Sequence, residues 1–162
     1  MNRTFPWAAS IATCQVAVVC VTLLGSLTYQ FALHDLPCPL CVVQRLAFLL
    51  ACVGPMGIIC ARLPHERTPE FQARGFALCI LASIVGVAAS GRQILLHIVP
   101  PDAGYGPPVL GLHLYSWALI VFLCLIASSA VGLLWVNEKA LQLPAATKVA
   151  ALLAVGLGIA IA

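Results

Sequence analysis

Cys38 and Cys41 stand in the stretch Cys38-Pro39-Leu40-Cys41, between two apolar runs. A Cys-x-x-Cys spacing closes a small disulfide ring and is the usual frame for thiol–disulfide exchange. A helix starting here would set its positive dipole end behind the pair, which favours a thiolate. Pro37 and Pro39 restrict the chain and hold the pair at that start. Two other chemistries use the same residue types. A structural disulfide across so few residues would staple almost nothing. A metal site could draw on His34, Cys38 and Cys41, but zinc normally takes four ligands and no second pair faces this stretch.

Arg45 follows Cys41 by four residues, so on a helix it lies on the same face, one turn deeper. Arginine inside an apolar span is costly and marks a functional site by default. Its guanidinium would stabilise a Cys41 thiolate and could hydrogen-bond a bound carbonyl oxygen, with Gln44 beside it as donor or acceptor. Snorkelling to the headgroups is the plainer role for such a residue. Arg92 lies in the next apolar run, about two turns from the same membrane face, and Gln93 and His97 follow on the same helix, at i,i+4 spacing from each other. If the two runs pack together they frame a polar niche inside lipid, next to the cysteine pair. That suits a lipid-soluble ligand with a polar head, such as a quinone. His97 and His113 alone are weak signals, because an interfacial histidine is more often simply solvated.

These residues need elements that hold them at one membrane depth. Of the 162 residues, 62% are of the AVILMFWYC class and 8% are charged. Soluble domains have about 45–50% apolar and about 25% charged residues, so an ordinary soluble protein is excluded. A disordered chain would be polar and charged. A net charge of +3 from eight basic residues makes no broad basic face, so no nucleic-acid partner is expected. The composition predicts an all-α, polytopic membrane helical bundle in a single membrane domain. A span needs about 20 mostly apolar residues. Four runs qualify, at about 7–31, 42–61, 75–99 and 112–136, and a partial fifth covers 149–162. The fourteen residues of the fifth reach only about 21 Å as helix, against a hydrocarbon core of about 30 Å. This segment is expected either to continue in a longer chain or to lie against a four-helix core.

Orientation follows from the basic residues. Arg3, Arg62, Arg67, Arg74, Lys139 and Lys148 fall on one side if the spans alternate, and the opposite loops, about 32–39 and 100–110, hold no Lys or Arg. The N-terminus is therefore expected in the cytoplasm and the cysteine pair on the outer side. The first run is too long for a cleavable signal peptide and lacks a clear small-x-small site. Trp7, Tyr29, Tyr115, Trp117 and Trp135 fall near the expected interfaces. Gly75, Cys79, Ala82, Gly86 and Ser90 form a small-residue face suited to close helix contact. Pro55 is expected to kink the second span. The six cysteines inside spans, Cys14, Cys20, Cys52, Cys60, Cys79 and Cys124, read as small apolar packing residues.

The segment Leu36-Pro37-Cys38-Pro39-Leu40-Cys41-Val42-Val43-Gln44-Arg45 resembles the signature of the DsbB family, disulfide bond formation protein B. In that signature Cys-x-x-Cys opens the second span on its outer side, and an acidic or amide residue and an Arg follow the second Cys by three and four positions. Gly91-Arg92, and Leu110-Gly111-Leu112 followed by Trp117, are softer matches; together they cover about residues 7–136. The resemblance implies a bundle of four helices in the bacterial inner membrane, with its active site facing the periplasm. It implies a protein-disulfide:quinone oxidoreductase that reoxidises a periplasmic thioredoxin-fold thiol oxidase (DsbA-like) and passes two electrons to ubiquinone or menaquinone. By the same resemblance Cys41 would contact the quinone as thiolate and Cys38 would be its exchange partner. Arg45, with Gln44 beside it, would assist the quinone, and a position near His97 would approach the ring. A DsbA-type disulfide is a strong oxidant, at about −120 mV, so recharging it needs a still stronger acceptor, which a quinone pool supplies.

This chain departs from the family twice. The family carries a second cysteine pair between spans three and four, whereas here the loop 100–110 is short and has no cysteine. The partial fifth span is the other departure. A completed fifth span would return the chain to the periplasm, where a tail could carry the missing pair, so the coding sequence is expected to run past Ala162 and to encode two more cysteines. A vitamin K epoxide reductase-like enzyme is a second redox reading, but that family places its quinone-proximal pair on a later span. A non-enzymatic membrane metal-binding protein using His34, Cys38 and Cys41 is a third.

Overall fold

The computed structural model describes residues 6–33, 38–61, 68–98 and 108–136. Four long helices account for nearly all of them: α1 (Pro6–Leu33), α2 (Pro39–Cys60), α3 (Pro69–Leu96) and α4 (Leu114–Val136). All four are long and apolar enough to cross a membrane, so the chain is an all-α, multi-pass membrane bundle. Each helix packs on the next, and α1 closes the ring against α4. Trp7 at the start of α1 meets Trp135 near the end of α4 edge to face, with ring centroids 5.5 Å apart, so these two helices run antiparallel. Lipid offers no partner for a stray polar group, so side-chain hydroxyls bond within their own helix. Thr13, Thr22 and Thr28 each donate to the carbonyl four residues back, at 2.8 Å.

The helix starts follow local chemistry. Pro39 and Pro69 stand in the first turn of α2 and α3, where the N–H that proline lacks would be unsatisfied anyway. Thr68 caps α3 by accepting from Phe71 N, and Glu70 lies against the positive helix end. These caps move two boundaries from the positions expected by hydropathy. Helix α2 begins three residues earlier, which puts Cys41 inside its first turn, and α3 begins at Pro69 rather than near Gly75. Helix α3 ends at Leu96, so His97 is its C-cap residue and does not extend the helical face of Gln93. Pro55 is buried within α2, which continues past it to Cys60.

Small residues let the helices approach closely, as their spacing predicts. A Cβ on Gly54 would run into the backbone of Gly75, so α2 and α3 cross backbone to backbone. Gly86 makes room for the ring of Phe122, and a Cβ on Gly132 would lie 2.9 Å from the ring of Phe76. Phe122 stacks on Phe48 with centroids 3.9 Å apart, at the centre of a core that includes Val19, Ala47, Ala51, Cys79, Ala118 and Leu125. A second cluster, with Ala8, Ala12, Ile58, Phe76 and Val136, fills the end that holds Trp7 and Trp135. Of the six cysteines read as packing residues, Cys79 is buried and Cys52 half-buried. Cys14, Cys20, Cys60 and Cys124 are exposed on the bundle's outside, where a small apolar side chain meets lipid rather than another helix. The fifth apolar segment at 149–162 lies outside the described residues, as do His34 and the basic residues Arg3, Arg62, Arg67, Lys139 and Lys148.

Candidate functional site

The cysteine pair sits on the first turn of α2. Cys38 is the N-cap residue, with extended backbone (φ −66°, ψ 156°), and its sulfur accepts from the backbone N–H of Cys41 at 3.1 Å. A sulfur thus takes the place a serine or aspartate oxygen usually fills at a helix start. Both thiols are free and half-buried. The helix end behind them carries partial positive charge, and Pro39 fixes the entry of the chain.

One side chain of α3 reaches both sulfurs. Gln93 Nε2 donates to Cys38 Sγ at 3.3 Å and to Cys41 Sγ at 3.6 Å. Gln93 Oε1 accepts from Gln44 Nε2 at 2.8 Å, and the Cys41 thiol lies 3.9 Å from the same oxygen. Gln93 is 1% exposed and Gln44 6%. Two buried amides and two sulfurs therefore form one network across the α2–α3 contact.

Arg45 lies on the next turn of α2 and is half-buried. Its guanidinium turns toward α1, donating to Gln30 Oε1 and to the carbonyl of Ser26 at 3.4 Å. Both acceptors are neutral oxygens, so the cation keeps its charge uncompensated by these partners. Guanidinium has five N–H donors, and these two contacts leave others for a bound oxygen. Val42, Val43 and Leu46, beside the pair on α2, are 42%, 40% and 54% exposed, so this side of the site opens to lipid.

Two expected residues stand apart. Arg92 is exposed on the outside of α3, because the helix turns about 100° per residue and Gln93 takes the inward position. The niche expected between two arginines is lined instead by Gln93 and Gln44. His97 and His113 both stack on Tyr115, with ring centroids 5.8 Å and 5.2 Å away. These rings cluster at the entrance to α4. Just before it, Leu110 and Gly111 make a tight turn with φ of 52° and 82°. The turn is closed by paired Val109–Leu112 backbone bonds and by Trp117 Nε1 donating to Val109 O at 3.0 Å. Gly111 supplies the left-handed backbone without cost, which is the physical content of the Leu110-Gly111-Leu112…Trp117 pattern. Gln93, which in sequence stands out only as a neighbour of Arg92, is the residue that reaches the pair. Its signal was there: an amide inside an apolar span must find a partner.

Comparison with known proteins bears on this geometry. Residues 9–105 match the family model of disulfide bond formation protein DsbB. The chain belongs to the DsbB family. Disulfide bond formation protein B 1 of Pseudomonas syringae pv. syringae is 30% identical over 139 residues, covering 66% of this chain and 79% of the relative. Disulfide bond formation protein B of Cupriavidus metallidurans is 29% identical over 150 residues, covering 74% and 89%. No solved structure matches the chain. An alignment of 139 positions that takes in only 66% of a 162-residue chain leaves residues of the relative without a counterpart here. The DsbB-family chain is thus a multi-pass membrane redox protein of disulfide bond formation, and the matched span contains Cys38, Cys41, Gln44, Arg45, Arg92, Gln93 and His97.

Proposed function

We propose that this DsbB-family chain is a protein-disulfide:quinone oxidoreductase of the bacterial inner membrane, with the Cys38–Cys41 pair facing the periplasm. The observation that carries the reading is a half-buried Cys-x-x-Cys on a helix N-terminus, joined to buried amides and open to lipid on one side. A pair built to be a stable staple would need none of these polar partners. Inside a membrane each of them is costly to bury unless it is used.

In this reading, ubiquinone or menaquinone supplies a two-electron, two-proton acceptor. The residues present fit such a group. Its apolar tail would lie along the exposed valines and Leu46 of α2, and its carbonyl oxygens would face donors from Arg45 and Gln44. The two thiols give up two electrons and two protons and close the Cys38–Cys41 disulfide. That disulfide then accepts electrons from a periplasmic thioredoxin-fold dithiol of the DsbA kind, which leaves oxidised. Arg92 and His97, at the outer end of α3, would meet the headgroup layer rather than the sulfurs.

The test uses the purified full chain with its pair reduced. Ubiquinone is added and quinone absorbance followed, with Cys41→Ser as control. Rapid consumption that depends on Cys41 supports the reading. A pair that stays reduced while quinone is unconsumed overturns it.

A further inference from the structure

Among the described residues, Arg45 is held from α1. Its guanidinium donates to Gln30 Oε1 and, in a longer contact, to the Ser26 carbonyl at 3.4 Å. Chemistry fixes which end of the Gln30 amide faces the cation, because a guanidinium has donors only and is met by an oxygen. The Ser26 hydroxyl does not compete, since it donates to Leu23 O at 2.9 Å within α1. These contacts work against the natural lean of the arginine. Side chains on a helix tilt toward its N-terminus. Helix α2 starts at the cysteine end, so Arg45, six residues past Pro39, tilts toward that end, the direction in which an arginine snorkels to the headgroups. Helix α1 finishes there, so Gln30, three residues before Leu33, tilts the opposite way and meets the guanidinium inside the membrane. Both side chains are half-buried.

We propose that Gln30 is a positioning residue: with the Ser26 carbonyl it tethers the Arg45 guanidinium against α1, stops it from snorkelling, and keeps its remaining N–H groups aimed at an oxygen of the electron acceptor. The inference rests on the quinone reading for what the cation serves; the tether itself does not. The two contacts use one N–H on each terminal nitrogen and leave Nε–H and the second N–H of each. A tether of neutral oxygens also fixes the cation without cancelling its charge. That charge stays available to an oxygen that becomes negative as electrons arrive. A carboxylate in the place of Gln30 would hold the guanidinium equally well but would offset its charge. An amide therefore suits a cation that must be held still and yet act on something else.

The experiment takes two readouts on the purified full chain in lipid nanodiscs. The first is modification by a water-soluble arginine reagent, p-hydroxyphenylglyoxal, mapped by tandem mass spectrometry, with the exposed Arg92 as internal standard. Wild-type Arg45 is modified far more slowly than Arg92. In Gln30→Leu it approaches the Arg92 rate, and in Gln30→Glu it stays protected. The second readout is quinone reduction by the prereduced chain. Gln30→Leu lowers kcat about tenfold with KM little changed, as a misplaced group does. Gln30→Glu also loses rate, because it holds the cation but offsets its charge. In an Arg45→Met background Gln30→Leu costs nothing further, whereas a residue that only braces the bundle would lower turnover there too. Gln30→Asn, one methylene short of the guanidinium, repeats the Gln30→Leu pattern, so the outcome does not hang on one variant folding. Wild-type Arg45 modified as fast as Arg92 overturns the proposal. So does protection that survives in folded Gln30→Leu, or a further loss in the double variant. Modification needs no quinone. A wild-type chain that leaves quinone unconsumed, yet loses Arg45 protection with Gln30, overturns the quinone reading and keeps the tether.

Discussion

Replacing Arg45 with methionine separates its structural role from its proposed chemical one. The side chain makes two bonds to α1, to Gln30 Oε1 and Ser26 O. Interhelical hydrogen bonds in membrane proteins average about 0.6 kcal/mol each, so Arg45→Met loses about 1 kcal/mol of bundle stability on that account. Relief from half-burying a cation offsets part of it. Thermal unfolding in detergent is therefore expected to shift by only a few degrees. The proposed contact with a quinone oxygen is a charge-assisted bond, worth about 1.5–3 kcal/mol. That corresponds to a fall in kcat/KM of roughly ten- to 150-fold. The loss should fall mainly on kcat, because negative charge grows on that oxygen as electrons arrive and the cation holds it best then. Arg45→Lys keeps the charge but not the fork, so it cannot hold α1 and the ligand together, and intermediate activity is expected. The assay is quinone reduction by the prereduced chain, analysed for kcat and KM separately. A folded Arg45→Met protein with kcat/KM within about twofold of wild type would refute the assignment of Arg45 to the acceptor.

Four further outcomes follow from the packing. Arg92→Ala removes an exposed side chain and should leave quinone turnover within about twofold, the usual scale of surface changes; a tenfold loss would return Arg92 to the site. Gly86→Leu would drive a side chain into Phe122 and should destabilise the bundle by several kcal/mol, beyond the usual overpacking cost of about 1–3 kcal/mol, read by unfolding in SDS. Gln15→Leu removes bonds to Ser128 and Ser129, both 2.8 Å, but also a buried Gln15 Oε1 that has no partner among the described residues, so its net cost should stay under about 1 kcal/mol. Cys38→Ser and Cys41→Ser should each abolish quinone-dependent disulfide formation while leaving the helical circular dichroism unchanged, because neither sulfur fills the core.

Composition and run length were enough to find four spans, because a membrane helix must be apolar along its whole length. The small residues of α3 announced their contacts for a similar reason: only Gly at 54 and 75 lets two backbones meet. The cysteine pair was legible because its spacing is local. The helix ends were less so, since hydropathy is blind to caps. Thr68-Pro69-Glu70 starts α3 six residues before the first strongly apolar run. The partners of the pair were hardest to read. Arg92 and Gln93 are neighbours in sequence, and charge drew attention to the first. The rotation of α3 decides between them, and close packing of Gly75 against α2 and of Gly86 against α4, far along the helix from the site, goes with that rotation. Once Gly86 accepts Phe122, Gln93, two helical turns on, comes round to the same inward face and Arg92 is carried outward.

The same rotation gives the interior two polar regions with an aromatic floor between them. Toward the cysteines lie Gln44, Ser90 and Gln93, all buried. Toward the other end lie Gln15, Ser83 and Ser129, with Cys79 buried on the same helix as Ser83. Between them Phe48 and Phe122 stack against Gly86. A dithiol that works on lipid-soluble substrates must be reachable from the outer leaflet, yet a polar path through the whole bundle would let protons leak down the membrane potential. The stacked rings of Phe48 and Phe122 stand between the two polar regions and offer no hydrogen bond of their own. On the proposed reading such a floor would serve the site as well as the fold. Phe122→Ala should open a cavity there, at a cost of about 3–5 kcal/mol, and should also raise proton permeability of liposomes carrying the chain. A liposome that stays as tight as wild type, with the protein folded, would show that the remaining helix packing seals the bundle and that the rings only fill space.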